Sequence, residues 1–231
     1  AVPDFQKAAD IHLVEISPTL AEQQSLTLIK DAARINWVPD ITALPDQPTI
    51  IIANELLDAL PFRQWIKIEG RWIERAVGKK DNNLHFVTRP SSLDETQLPD
   101  GHAACADGTI FETSAPRESL VETIADRLNT QTGAALFIDY GHLKSGFGDT
   151  FQAMKDHEFV SPLENPGNAD LTSHVDFETL LNIAKEQNCS TPKPTPQGNF
   201  LLSLGLLERA GNLGHGRDKQ MQESLQVAVN R

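Results

Sequence analysis

Only two cysteines occur in the 231 residues, Cys105 and Cys189, and neither has a second Cys or a His at metal-ligand spacing. They read as two ordinary thiols of a reduced compartment, not as a disulfide framework or a zinc site. No run approaches the roughly 18 apolar residues that a membrane span needs. No basic n-region precedes an apolar stretch either, so no signal peptide is visible. Positive charge is scarce: 20 Lys and Arg face 32 Asp and Glu, a net charge of −12. Nonspecific binding to nucleic acid, or insertion at an anionic membrane, is therefore not expected, because neither phosphate neutralisation nor headgroup attraction is on offer. The acidic balance suits a soluble protein and would attract a basic partner segment. Internal repeats, low-complexity tracts, a phosphate loop and a Ser-His-Asp order are also missing.

What is present is an α/β pattern with enough apolar residues, 39% of the chain, to fill a core. Ile11–Glu15 is a short β-rich run, and Ser17-Pro18 follows as N-cap and first position of a helix expected to reach about Ala33. A second short strand falls at 35–38. Thr49–Ala53 is continuously apolar, the mark of a strand covered on both faces in a parallel sheet. Residues 62–69, 71–77 and 84–88 alternate apolar and polar, with turns at Glu69-Gly70 and Asp81-Asn82-Asn83, which predicts an inserted antiparallel meander. Ser114 caps a helix that ends at Gly133, and Ala134–Ile138 is a second buried strand leading to Asp139-Tyr140-Gly141. Beyond a long polar stretch, Asp176 caps a helix with Phe177, Leu180, Leu181 and Ala184 inside, and 211–231 reads as one amphipathic helix. The expected division is 1–61 and 109–141 as α/β core, 62–108 as meander and loop, 142–210 as a substrate-side loop and helical region, and 211–231 as a terminal helix.

Acidic and amide residues directly follow the buried strands, where ligands bind in open parallel sheets. Glu15 closes the first strand, and a carboxylate there can accept both hydroxyls of an adenosine ribose; a solvated strand-end acid is the plainer reading. Asn54, Glu55 and Asp58 follow the 50–53 strand. On one helical turn the two acids would share a face and hold a guanidinium by paired charge-assisted bonds, with simple helix-N-terminal charge as the alternative. Asp139 and Tyr140 would face the same crevice, with Gly141 allowing a sharp exit from the sheet. Asp170 and His174 stand just before a helix, where a lone His is more often structural.

Five ordered blocks, Leu13-Val14-Glu15-Ile16-Ser17-Pro18, Ala53–Pro61, Ile138–Gly141, Gly148-Asp149-Thr150 with Asp170–Phe177, and Gln197–Leu201, resemble the MidA family of S-adenosylmethionine-dependent methyltransferases, over residues 11 to 210. The resemblance implies a Rossmann-like class I methyltransferase sheet with the inserted meander and an added helical subdomain. It also implies S-adenosylmethionine as cofactor, and arginine methylation of a respiratory complex I subunit as the activity, in the cytoplasm of a bacterium or the mitochondrial matrix of a eukaryote. On that pattern Glu15 is the ribose acid, with Ser17, Trp37 and Asn54 beside the donor, and Asn54, Glu55 and Asp58 face donor and substrate. Asp139, Tyr140, Asp170 and His174 lie on the substrate side. The family's glycine-rich turn and first strand would precede Ile11, but residues 1–10 hold no glycine and the chain starts without Met. The expectation is a fragment lacking its central strand; a degenerate scaffold on the same fold is the alternative.

Overall fold

The structure is a computed structural model that describes residues 3–30, 34–91, 93–164, 166–216 and 218–229. These form two compact units, Ala1–Ser190 and Thr191–Arg231. In the first unit, α1 (Pro3–Ala8) leads into β1 (Ile11–Val14), α2 (Pro18–Thr27) and β2 (Ile35–Val38). Ser17 caps α2 by accepting the Leu20 N–H at 3.3 Å. The helix stops at Thr27, short of the expected Ala33, and residues 31–33 lie outside the described residues. β3 (Thr49–Asn54), β8 (Gly133–Ile138) and the helix α3 (Ala115–Gln131) between meander and β8 follow the expected order.

The parallel pairing among the described residues falls in separate two-stranded sheets, β1 with β2 and β3 with β8, besides a short pair before α4. The expectation that β3 is covered on both faces is not met. Successive side chains of a strand point to opposite faces, and here Ile50 and Ile52 are 68% and 70% exposed while Ile51 and Ala53 are half-buried. On the covered side Phe137 of β8 packs against the core cluster of Leu57, Val121 of α3, Val175 and Leu180 of α4 (Phe177–Glu186), which Leu120 also joins.

The meander is a four-stranded antiparallel sheet in the order β6 (Asn83–Arg89), β5 (Arg71–Lys80), β4 (Arg63–Ile68), β7 (Ile110–Thr113). Both hairpins turn on two residues rather than three at the second: Glu69-Gly70 and Asp81-Asn82 all have positive φ, as the strand twist of a tight hairpin requires, and Asn83 already belongs to β6. The polar loop that follows is held by a buried ammonium. Lys67, 5% exposed, donates to the carbonyls of His102, Ala103 and Cys105 at 2.9, 3.0 and 2.8 Å. Lys67→Met removes the ammonium from three carbonyls at once and leaves those of Ala103 and Cys105 without a donor, while His102 keeps the Cys105 N–H, so we expect a loss of about 2 kcal/mol in thermal or denaturant unfolding. An unchanged midpoint would remove this cage from the account of the loop.

Short strands β9 (Gly141–His142), β10 (Gln152–Lys155), β11 (Glu158–Val160), β12 (Asp170–Thr172) and β13 (Val175–Asp176) fill the stretch between β8 and α4. β9 and β13 pair in parallel, and a Cβ on Gly141 would stand 2.0 Å from the Val175 carbonyl oxygen. Close approach, not a positive φ, is what demands glycine there. The second unit holds α5 (Gln197–Ser203), α6 (Leu206–Gly214) and α7 (Lys219–Val229). The single helix expected over 211–231 is broken after Gly214, because Gly216 takes φ 72° and Asp218 accepts the Met221 N–H at 2.9 Å to begin α7.

Candidate active site

The candidate residues gather in two groups. The first stands at the carboxyl end of β1. Glu15 Oε1 accepts the Ser17 N–H at 2.8 Å, and Oε2 accepts the side-chain amide of Gln24 at 3.0 Å. The orientation of that amide is fixed by Trp37, whose indole N–H donates to Gln24 Oε1 at 2.9 Å. Glu15 is thereby a pinned acceptor with one bond on each oxygen, leaving lone pairs for further donors. Glu15, Ser17 and Trp37 are thus brought together, and Gln24, which sequence reasoning passed over, links the first to the last.

The second group follows β3 and β8. Asn54 ends β3 exposed, and the Glu55 N–H closes the ladder on the Ile138 carbonyl at 2.9 Å. Residues 55–60 are bends and a turn, not the helical turn that was expected. Glu55 takes φ 47°, a left-handed conformation that a helix cannot continue through. The two acids consequently do not share a face: Glu55 is exposed, whereas Asp58 is 4% exposed. Leu57, beside it, is fully buried in the α3–α4 core and anchors the loop.

Asp139 does not reach into a crevice as a free acid. Its Oδ2 accepts the Leu57 and Asp58 N–H groups at 2.9 and 3.2 Å, and its Oδ1 accepts the Tyr140 N–H at 2.9 Å. The carboxylate is the clamp of the post-β3 loop. Burial pushes its pKa up, the backbone donors of Asp58 and Tyr140 pull it back, and the Asp58 charge adds to the rise. Tyr140 donates its hydroxyl to Asp58 Oδ2 at 2.7 Å, accepts from Gln152 Nε2 at 3.5 Å, and has its phenol pushed up by burial. The Asp58 Oδ1 atom is buried without a hydrogen-bond partner. His174 sits edge-on to Tyr140, 5.6 Å between centroids, with its backbone N–H on Thr150 Oγ1. Asp170 is different: exposed at the start of β12, it joins no side-chain bond with the others among the described residues.

Sequence reasoning missed the residue at the centre of this group. Arg117 is 5% exposed in the first turn of α3. It donates through Nε to the Leu57 carbonyl at 2.6 Å and through Nη1 to the His174 carbonyl at 2.8 Å. Nη2 reaches the Asp58 carbonyl at 3.0 Å and Ser173 Oγ at 2.7 Å. Burial pulls its pKa down, while the carboxylates of Asp139, Glu112 and Asp58 oppose that fall. A cation in the first turn of a helix works against the helix dipole, and that misfit was the one signal available in the sequence.

Among the described residues, no cluster of three His, Cys, Asp or Glu side chains is placed to hold a metal ion, and no helix is long and apolar enough to cross a membrane. Residues 1–195 match the sequence profile of a family described as S-adenosyl-L-methionine-dependent methyltransferases. The chain is 32% identical over 246 residues to a Caenorhabditis elegans protein named protein arginine methyltransferase NDUFAF7 homolog, mitochondrial, covering 97% of the chain and 58% of that protein. It is 30% identical to human protein arginine methyltransferase NDUFAF7, covering 85% of the chain and 48% of the human protein. It therefore spans about half to three-fifths of the length of these relatives. A Burkholderia thailandensis crystal structure bound to S-adenosyl-homocysteine superposes with a TM-score of 0.77 at 26% identity, covering 95% of this chain and 59% of that one. A native crystal structure from the same organism gives the same TM-score at 27% identity, covering 95% and 61%. With an α/β fold, strand-end acids and matches of this extent, the chain belongs to this S-adenosyl-L-methionine-dependent methyltransferase family.

Proposed function

We propose that this chain contributes the acceptor side and part of the donor side of a site that methylates an arginine side chain of a protein, with S-adenosylmethionine as donor. The carrying observation is Glu55: an exposed carboxylate held at φ 47° directly after β3, on a loop clamped from beneath by Asp139. Non-glycine residues kept in this region cost free energy and cluster at working sites. Glu15 fits the donor by its chemistry, since a ribose offers hydroxyl donors and Glu15 is a fixed acceptor with capacity left. When bound, the donor supplies a methyl group on a sulfonium, a good leaving group.

The acceptor guanidinium arrives protonated, its pKa being above about 12. Glu55 holds it by charge-assisted N–H bonds and orients one nitrogen for in-line attack. As the N–C bond forms and the S–C bond breaks, the attacking nitrogen loses a proton to Glu55, which passes it to solvent from its exposed position. The C. elegans and human relatives carry the names of mitochondrial protein arginine methyltransferases, which supports arginine as acceptor and the mitochondrion as the compartment in a eukaryote. Nothing in this scheme needs nucleic acid or membrane insertion.

The test uses the full-length protein, tritiated methyl donor and purified complex I core subunits, followed by mass spectrometry of the labelled subunit. Label on an arginine is the expected result. Donor binding by calorimetry without any transfer to protein would leave only the coarser family assignment.

A further inference from the structure

We infer that Arg117 is a positioning residue: it binds the Leu57–Asp58 turn to the Ser173–His174 segment and so sets where Glu55 stands, a role resting on the methyl-transfer reading above. Three features make it a poor choice for stability alone. The side chain is buried in the region where Leu57, Val121 and Val175 form the apolar core. It stands in the first turn of a helix, where the dipole opposes a cation. Its hydrogen bonds go to neutral groups, the carbonyls of Leu57, Asp58, Ser173 and His174 and the Ser173 hydroxyl, not directly to a carboxylate. An apolar side chain of similar volume often serves a core as well or better.

What the guanidinium does, and an apolar group or an ammonium does not, is reach two chain segments at once with a planar fork of fixed angle. One segment follows β3 and carries Glu55 and Asp58. The other precedes β13 and carries His174, whose ring meets Tyr140. Asp58 gives the two segments a single direct backbone link, its carbonyl accepting the Ser173 N–H at 3.1 Å, and its side chain adds only the Tyr140 bond on Oδ2, since Oδ1 has no partner. Asp139 holds the turn from the β8 side through two backbone N–H groups. Arg117 holds it from the α3 side through two backbone carbonyls, so donors and acceptors of the same turn are gripped from opposite directions. Ser114, the cap of α3, donates to the Pro61 carbonyl at 2.7 Å and fixes the helix end from which Arg117 reaches.

The test compares full-length wild type with Arg117→Lys and Arg117→Met. Turnover is measured on the subunit labelled in the transfer assay, S-adenosylhomocysteine affinity by calorimetry, and amide hydrogen exchange in the peptides covering 55–60, 171–176 and 63–80. For Arg117→Lys we expect kcat to fall about tenfold or more, since small displacements of an aligning group cost that much. The acceptor KM and the S-adenosylhomocysteine affinity should stay within about twofold. Exchange should quicken in 55–60 and 171–176 but not in 63–80, and Arg117→Met should exaggerate the same pattern. Wild-type kcat in the Lys variant overturns the inference. So does activity lost only in step with folded protein, seen as equal acceleration in all three peptides. A wild-type protein inert on every subunit, with the exchange pattern as expected, overturns the methyl-transfer reading and leaves only the clamp.

Discussion

Glu55→Gln in the full-length protein should lower methyl transfer at saturating donor and acceptor by about a hundredfold or more. The substitution keeps the length and shape of the side chain but removes the charge proposed to grip the guanidinium and the base proposed to take its proton. Glu55 is exposed and makes its one ladder bond through its backbone, so the fold has no reason to change. S-adenosylhomocysteine affinity should remain within about twofold, because the proposed acceptor of the donor's ribose is Glu15, on another strand end. A second substitution separates strain from chemistry. Glu55→Gly relieves the left-handed conformation at φ 47°, so its unfolding midpoint should equal or exceed that of wild type while transfer is lost. Full activity in Glu55→Gln would falsify the assignment, and a Gly variant that is both less stable and inactive would leave the charge argument without its control.

The second large effect falls on stability. Asp139→Asn should cost about 2–4 kcal/mol, because the carboxylate accepts three backbone N–H groups and an amide can accept on one side only. Whichever way the Asn turns, its NH2 faces at least one donor, and a part-buried N–H loses its partner. For a chain of this size that corresponds to a fall in midpoint of roughly 5–15 °C. Amide exchange in 55–60 should rise first, since Leu57 and Asp58 are the residues released. Asp170→Asn is the matched comparison for stability: it also neutralises an acid, but an exposed one, and should shift stability by less than about 0.5 kcal/mol. Equal midpoints for the two variants would show that the loop is held by something other than Asp139.

Both expectations turn on residues whose position, but not whose task, could be read from the chain. Asp139 is visible as an acid at the end of an apolar strand, and the inference that it faces a ligand crevice was natural. The structure gives it instead to three backbone amides. Glu55 and Asp58 look alike at a spacing of three, and helical periodicity puts them together. A single left-handed residue after β3 breaks that periodicity, and the apolar Leu57 then drags Asp58 inside with it. Glu15 and Trp37 were paired through the family resemblance alone; the Gln24 amide that physically joins them sits on α2, one helical element away from either in sequence.

Local chemistry was settled by the sequence itself: the caps at Ser17, Ser114 and Asp176, the places of the two hairpins though not the length of the second turn, the apolar strands that become β3 and β8, and the acids that follow them. These depend on neighbours within a few residues, where φ/ψ preference and side-chain pattern act directly. Tertiary structure alone decided which acid is exposed and which is buried, and it alone brought Arg117 to carbonyls 56 to 60 residues away along the chain. Burial and long-range hydrogen bonding are properties of packing between distant segments, and no spacing rule along one segment encodes them.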